Sequence, residues 1–249
     1  MSPPARRSAL VTGGSRGIGA EIAARLAAEG YDLTIAARDP ETLERTAARL
    51  RERGAGEVYP TVAAMNDLDQ VRNLVRGHGE RFGGMNVLVM SAGTGTAGRV
   101  ADMAPKTYER MLDINFRAPL TLIQTALPLL RSSAAADPGR GAKIIALASI
   151  TGVVGEPGLA AYGATKSALI SLCETVSLEE SRHGVAATAL SPGYVDTDMT
   201  VWKHDVLDPA AMLTTADIAE LALAVTRLSA AAVVPNIVVA RAGDQLWRA

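Results

Sequence analysis

The chain has 249 residues, 48% of them hydrophobic, which is enough to bury the core of one α/β domain. Its 25 Lys and Arg side chains and 26 Asp and Glu side chains give a formal net charge of −1, without a block of one sign. This balance argues against nucleic acid or an anionic membrane and favours a small-molecule partner. The single cysteine, Cys173, excludes an intramolecular disulfide and a paired-cysteine metal site.

Hydropathy and the first residues bear on the location of the protein. Residues 1–7 lack the apolar stretch of a secretory signal, and no uncharged run reaches the roughly 18 residues of a membrane helix. We therefore expect a flexible tail at 1–7, one domain over 8–249 and a cytoplasmic protein. The three histidines show no metal-ligand spacing, so no metal is expected.

Short β-branched runs alternate with longer helical patterns, which is typical of βαβ units. Seven strands are predicted, at residues 8–12, 33–37, 58–63, 87–90, 143–148, 185–190 and 237–240. Helices are predicted at residues 20–29, 40–53, 68–82, 105–130, 161–182 and 218–228, with Asp39 and Thr214 as N-caps and a loop at 132–141. The pattern predicts a single-domain, Rossmann-type doubly wound fold, a seven-stranded parallel sheet with helices on both faces.

The first strand-to-helix turn has glycines at positions suited to a dinucleotide. Gly13, Gly17 and Gly19 give the permissive backbone that lets a pyrophosphate approach main-chain amides at a helix N-terminus. An isolated match of this kind can equally be an ordinary tight turn, but its place at the first junction of a parallel sheet favours the dinucleotide. The residues expected to contact the cofactor here are Gly13, Ser15, Arg16, Gly17, Ile18 and Gly19.

Tyr162 and Lys166 stand four residues apart in an apolar, helix-like run, and Ser149 directly follows the fifth predicted strand. Residues at i and i+4 share a helix face, so the Lys166 ammonium can lie near the Tyr162 phenol and favour its deprotonated form. A phenol is otherwise a poor acid or base near neutrality, because its reference pKa is about 10. The run 151–161 is long enough to fold the Ser149 hydroxyl back beside the phenol. Two hydroxyls and a cation would then converge on one carbonyl oxygen.

Several motifs in this order resemble those of the short-chain dehydrogenase/reductase family, over nearly the full chain. The glycine loop fits the family's T-G-x-x-x-G-x-G pattern, and Ser149, Tyr162 and Lys166 fit its catalytic trio. Asn115 fits the family's fourth active-site residue, and Pro192-Gly193 fits the turn after the sixth strand. The whole pattern is most similar to the 3-oxoacyl thioester reductases and general ketone reductases of the family.

The resemblance implies a role for each of the four side chains. Tyr162 would be the general acid in ketone reduction and the general base in alcohol oxidation. Lys166 would bind the nicotinamide ribose and lower the pKa of Tyr162, and Ser149 would donate to the substrate oxygen. Asn115 would hold a water that links Lys166 to solvent. Taken singly, each has an ordinary alternative: a strand-end hydroxyl, a surface aromatic, a solvated charge or a buried amide with local partners.

Cofactor choice follows from charge at the end of the second strand. An acidic side chain there would select NAD(H), but this chain has Ala37 followed by Arg38. Arg16 and Arg38 could both face a 2′-phosphate, so NADP(H) is favoured. In the alternative, both arginines are solvated and Asp39 reaches the ribose.

The chain departs from the family pattern at two places near the cofactor. Residues 90–93 read Met-Ser-Ala-Gly where relatives have Asn-Asn-Ala-Gly, and Ala64-Met65 replaces an aspartate expected beside adenine. We expect the remaining cofactor contacts to be largely from the backbone. Their residues are Ser91, Ala92, Gly93, Pro192 and Gly193.

The substrate is the least specified part of the sequence. Residues 194–212 are expected to form a substrate loop, and candidates for an apolar pocket, or for plain lid packing, are Val153, Val154, Leu159, Tyr194, Met199 and Trp202. The expected function is NADPH-dependent reduction of a ketone. The alternatives are oxidation of a secondary alcohol, steroid or sugar, and a dinucleotide sensor without turnover. A homodimer or homotetramer through helices 105–130 and 161–182 is also implied by the resemblance.

Overall fold

A seven-stranded, all-parallel sheet runs through the computed structural model, which describes residues 6–243. Its strands are β1 (Ser8–Thr12), β2 (Asp32–Ala37), β3 (Val58–Val62), β4 (Val87–Met90), β5 (Ala142–Leu147), β6 (Val185–Pro192) and β7 (Asn236–Val239). They lie in the order β3-β2-β1-β4-β5-β6-β7. The order reverses between β1 and β4, which is where open α/β sheets of this kind form a ligand crevice at the carboxyl ends of the strands.

Helices cover both faces of the sheet. They are α1 (Gly17–Ala28), α2 (Pro40–Glu52), α3 (Leu68–Phe82), α4 (Pro105–Leu112), α5 (Ala118–Ala136), α6 (Ala160–Glu180) and α7 (Thr215–Arg227). One hydrophobic cluster joins the sheet to α3, α5 and α6, and a second joins it to α1, α2 and α7. Every residue of β1, β5 and β6 is buried because these central strands are covered on both sides. The predicted fold class is confirmed.

Four predicted boundaries are wrong, and one of them is the start of the last helix, which begins at Thr215 rather than at residue 218. The first helix begins at Gly17 rather than at residue 20, so the second half of the glycine loop is already helical. The predicted helix 105–130 is two helices joined by a π-helical segment, Asp113–Arg117. The predicted loop 132–141 is helical up to Ala136, because its alanines favour helix and the buried Ser133 hydroxyl accepts a hydrogen bond from the Met85 amide at 2.8 Å.

Two predicted N-caps are present. The Asp39 carboxylate accepts a hydrogen bond from the Thr42 amide at 2.7 Å, at the start of α2. Thr214 and Asp217 form a capping box at the start of α7. Both caps satisfy amides that the helix itself leaves without partners, so they fix where these helices begin.

The predicted tail at 1–7 is only partly described, since residues 1–5 lie outside the described range. Arg7 differs from the prediction: it pairs with Asp137 at 2.9 Å and lies over the Tyr31 ring, 5.6 Å from its centroid. The packed structure therefore includes Arg7. Among residues 6–243, no helix is both long and apolar enough to cross a membrane.

Candidate active site

Ser149 and Tyr162 are brought together by a close backbone contact. Ser149 follows β5 and opens a 3-10 turn, Ile150–Gly152, that packs on α6. A Cβ atom added to Gly163 would lie 2.6 Å from the Thr151 carbonyl oxygen, so only glycine permits this approach. The turn thus places the Ser149 hydroxyl close enough to the Tyr162 phenol to lower the pKa of that phenol.

The Ser149 hydroxyl is oriented by its neighbour. It is 7% exposed, and its Oγ accepts hydrogen bonds from the Thr151 amide at 3.2 Å and from the Thr151 hydroxyl at 2.8 Å. A hydroxyl has one hydrogen and two acceptor positions. Because Thr151 occupies the acceptor positions, the Ser149 hydrogen is left to donate to another oxygen.

Lys166 lies on the same face of α6 as Tyr162, with its ammonium 5.5 Å from the centroid of the Tyr162 ring. Lys166 Nζ donates to the Leu147 carbonyl oxygen at 2.6 Å, and the side chain is buried. Burial lowers the pKa of Lys166 to about 8, because the charged ammonium loses its hydration.

Burial dominates the protonation of Tyr162. Burial raises the pKa of the phenol to about 12, and a hydrogen bond with Ser149 opposes this shift only in part. The Lys166 ammonium donates to the Leu147 carbonyl, and its expected lowering of the Tyr162 pKa stays a prediction. Tyr162 therefore holds its proton near neutrality, as a proton donor must.

Asn115 joins two segments of the site from within the π-helical segment. Its Nδ2 donates to the Thr94 carbonyl at 2.8 Å and to the Thr165 hydroxyl at 3.0 Å, while its Oδ1 accepts from the Thr94 amide at 2.9 Å. These bonds attach the loop after β4 to α6, one residue before Lys166. Both Nδ2 hydrogens are used, Oδ1 already accepts one hydrogen bond, and the water-holding role expected for Asn115 stays a prediction.

The glycine loop fits a dinucleotide pyrophosphate. A Cβ atom at Gly19 would lie 2.3 Å from the Gly13 carbonyl oxygen, and one at Gly13 would lie 2.8 Å from the Ala92 nitrogen. The backbone of the loop is therefore folded closely on itself at Gly19. At Gly13 it is packed against the turn after β4, at the crevice of the sheet. The Arg16 side chain makes no capping hydrogen bond to the first turn of α1, so the amides there remain open to an anion.

The other expected cofactor residues surround the same crevice. Ser15 accepts a hydrogen bond from the Thr46 hydroxyl through its carbonyl, and Ile18 packs against the α1 side of the core.

The expected cofactor residues after β4 and β6 lie at the carboxyl ends of those strands. Ser91 Oγ lies near Gly19, and the Ala92 amide donates to the Thr12 hydroxyl at 3.3 Å. A Cβ atom at Gly93 would lie 3.5 Å from both Asn115 Oδ1 and Lys166 Nζ, which places Gly93 beside the catalytic candidates. Pro192 ends β6, and the Gly193 amide donates to the Val239 carbonyl at 2.9 Å.

The two arginines expected at a 2′-phosphate have different surroundings. Arg16 Nη1 pairs with Asp198 Oδ2 at 2.9 Å, so in this structure it reaches toward the loop after β6. Arg38 is exposed at the end of β2, without a carboxylate at ion-pair distance among residues 6–243. Asp39 is engaged by Thr42, whose hydrogen bonds lower the pKa of its carboxyl group, and this favours capping over the alternative ribose contact.

A polar contact that sequence reasoning missed closes one side of the site. The Tyr194 hydroxyl donates to Glu156 Oε1 at 2.7 Å, and Lys203 Nζ lies 3.6 Å from the same oxygen. Lys203 Nζ also lies 4.9 Å from the ring centroids of Tyr194 and Trp202. Burial, then the Glu156 contact, raises the pKa of Tyr194. The available signal was that Glu156 is the only charged residue in the run 150–161.

The residues expected to line an apolar substrate pocket differ in their exposure. Tyr194 and Leu159 are buried, whereas Met199 and Trp202 are about half exposed. Val153 and Val154 are exposed and line a surface groove of about 370 Å³ that includes Leu159 but neither Ser149 nor Tyr162. Within residues 6–243, no group of three or more His, Cys, Asp or Glu side chains is placed to hold a metal ion.

Comparisons with known proteins agree with this geometry. The family model described as short chain dehydrogenase matches residues 7–206. The 3-oxoacyl-(acyl-carrier-protein) reductase FabG of Staphylococcus aureus is 34% identical over 203 residues, which cover 81% of this chain and 79% of that protein.

Solved structures share the whole fold. An alcohol dehydrogenase from the archaeon Thermococcus sibiricus, complexed with 5-hydroxy-NADP, has 27% identity and a TM-score of 0.84, covering 94% of this chain and 96% of that one. A short chain dehydrogenase from Burkholderia cenocepacia J2315, in complex with NADP, has 29% identity and a TM-score of 0.83, covering 95% and 98%. The chain therefore belongs to the short chain dehydrogenase family and is an oxidoreductase.

Proposed function

We propose that the protein reduces a ketone to a secondary alcohol with NADPH, and that Tyr162 donates the proton. The observation that carries this proposal is the shared site of Ser149, Tyr162 and Lys166, in which burial holds the pKa of the phenol at about 12. A sensor that only binds dinucleotide would not need this complete set. The similarity to a 3-oxoacyl-(acyl-carrier-protein) reductase supports ketone reduction.

The reduction uses a hydride from the cofactor and three side chains of the protein. When bound, NADPH supplies a hydride to the carbonyl carbon. Ser149 donates a hydrogen bond to the carbonyl oxygen, because Thr151 occupies its acceptor positions. Tyr162 transfers its proton to the same oxygen, which completes the alcohol. The resulting phenolate faces the Lys166 ammonium, which favours the charged form and assists return of a proton from solvent.

The preference for NADP(H) rests on two residues at the end of β2. Ala37 offers no carboxylate to a ribose 2′-hydroxyl, and the exposed Arg38 offers a guanidinium to a 2′-phosphate. The pyrophosphate would lie on the amides of residues 13–19. Two similar structures carry NADP or a derivative of it, which supports this assignment.

The substrate class we favour is a 3-oxoacyl thioester or a related ketone, with residues 194–212 as the substrate loop. Tyr194 and Glu156 join that loop to the segment before α6 and would form its wall nearest to Tyr162. Oxidation of a secondary alcohol is the second candidate, because one neighbouring structure is an alcohol dehydrogenase.

The proposal is tested by measuring NADPH oxidation against short β-keto thioesters, diketones, aldehydes and keto sugars, and NADP⁺ reduction with secondary alcohols. We expect turnover of at least one ketone with NADPH. Turnover only in the oxidative direction would support the second candidate. Tight NADPH binding by fluorescence without turnover of any compound would instead favour the sensor.

A further inference from the structure

The loop after β6 contacts the glycine loop directly. A Cβ atom added to Gly17 would lie 3.6 Å from the Thr197 methyl carbon, and the next residue, Asp198, forms the 2.9 Å ion pair with Arg16. Arg16 and Asp198 are 182 positions apart in sequence. Their pairing therefore joins the β1 and β6 sides of the cofactor crevice.

Asp198 is held in place by its own turn. The Thr200 hydroxyl donates to the Val195 carbonyl at 2.6 Å and accepts from the Thr197 amide at 3.1 Å. The base of the turn is fixed by an isolated bridge between Val195 and Leu213. These contacts fix the backbone on both sides of Asp198. The fixed backbone keeps the Asp198 carboxylate within reach of Arg16.

The ion pair of Arg16 with Asp198 has a single hydrogen bond rather than two parallel ones. Only Nη1 of Arg16 contacts the carboxylate, and both side chains are well exposed, at 66% and 71%. A guanidinium binds a phosphate best through two parallel hydrogen bonds, and exposed single pairs contribute little. A 2′-phosphate next to Arg16 would thus compete with Asp198 for the cation and would be repelled by the carboxylate. A 2′-hydroxyl would meet neither effect.

We infer that Asp198 is a cofactor-selectivity residue that weakens the preference for NADP(H) by competing with the 2′-phosphate for Arg16. This inference rests on the proposed binding of a nicotinamide dinucleotide at the glycine loop. Asp198 acts through Arg16 and does not contact the reacting atoms. Its effect appears in the ratio of the dissociation constants for NADPH and NADH, not in the proton transfer.

The test measures both dissociation constants by fluorescence titration for Asp198→Asn, Arg16→Gln and the double variant. Removing the charge of Asp198 should tighten NADPH binding roughly two- to fivefold and leave NADH binding unchanged. In the Arg16→Gln background the same change should bring no gain, because its effect passes through Arg16. Asp205→Asn is the matched control, since Asp205 is exposed in the same loop and has no ion-pair partner within residues 6–243.

Each outcome separates the inference from the proposed function. Equal tightening of NADPH and NADH would mean that the variant loosens the loop, and a gain that persists without Arg16 would mean a general charge effect. Either result, or an unchanged ratio, overturns the inference while leaving the proposed function intact. A wild-type protein that binds neither nucleotide overturns both.

Discussion

The Lys166 ammonium lies 5.5 Å from the centroid of the Tyr162 ring, yet its hydrogen bond goes to the Leu147 carbonyl. The lysine is thereby fixed to the end of β5, and the phenol stays protonated because burial dominates its pKa. This arrangement favours Tyr162 as a donor in the resting enzyme. Once the proton leaves, the same cation lies next to the new negative charge.

The first prediction concerns this donor. Tyr162→Phe removes the transferable proton while keeping the ring that packs near Lys166. We expect kcat to fall by about 10²- to 10⁴-fold, with NADPH binding still measurable by fluorescence. Tyr59→Phe, on the edge strand β3, serves as the control and should keep wild-type activity. Wild-type turnover in the Tyr162 variant would rule out the assigned proton transfer.

Arg38 carries the second prediction. Arg38→Asp replaces the guanidinium at the end of β2 with a carboxylate, which repels a 2′-phosphate and can accept from a 2′-hydroxyl. We expect weaker NADPH binding and an unchanged or stronger NADH affinity, measured as dissociation constants. Arg49→Asp makes the same change of charge at an exposed position of α2 and should leave the ratio unaltered. An unchanged ratio in the Arg38 variant would place the phosphate elsewhere.

The grouping of Ser149, Tyr162 and Lys166 in one site could be predicted from the sequence because their positions follow from local rules, and their catalytic roles stay predictions. The spacing of Tyr162 and Lys166 fixes a shared helix face, and Ser149 follows a strand whose carboxyl end meets that helix. The ion pair of Arg16 with Asp198 could not be predicted in this way, because it joins residues 182 positions apart through the path of a loop. The raised pKa of Tyr162 depends on burial, which spacing does not reveal.

The third prediction tests the contact that positions Ser149. In Gly163→Ala, the new methyl group would meet the Thr151 carbonyl oxygen at 2.6 Å, so the 3-10 turn must move. Overpacking of this kind typically costs about 1 to 3 kcal/mol. We expect a lower free energy of unfolding. We also expect kcat to fall by roughly tenfold or more, because the moved turn displaces the Ser149 hydroxyl from the substrate oxygen.

A matched control lies in the segment between Ser149 and α6. A Cβ atom at Gly155 meets no other atom within 4 Å, and Gly155 has no positive φ. Gly155→Ala should therefore fold and turn over like the wild type. Similar losses in the two variants would mean that chain stiffness, rather than the Gly163 contact, controls the site.

The fourth prediction concerns self-association through α6. Leu178 lies on this helix and, at 83% exposure, is the most exposed large apolar side chain among residues 6–243. We expect a homodimer or homotetramer at micromolar concentration by light scattering, and a smaller species for Leu178→Glu. Val206→Glu, at a similarly exposed residue of the loop after β6, should keep the wild-type mass. A wild-type monomer would contradict the prediction.

The fifth prediction is a pH dependence of stability that arises from His78. This side chain is fully buried, and its ring nitrogens contact the Thr34 hydroxyl at 2.8 Å and the Gly84 carbonyl at 3.0 Å. Burial lowers its pKa from 6.5 to about 4. The unfolded chain therefore binds more protons than the folded chain between these values, so the free energy of unfolding falls as the pH falls from 6.5 towards 4.

The contribution of His78 to the pH dependence of stability has an upper limit and can be separated from that of the carboxylates. A depression of the pKa from 6.5 to about 4 corresponds to at most about 3 to 4 kcal/mol, on a background of carboxylates that also titrate. In His78→Gln the loss of stability between pH 6.5 and 4 should be smaller than in the wild type, measured by urea unfolding at each pH. His204→Gln, which removes a partly exposed histidine, should keep the wild-type slope. Equal slopes in the wild type and His78→Gln would show that the carboxylates alone set the acid limit of the fold.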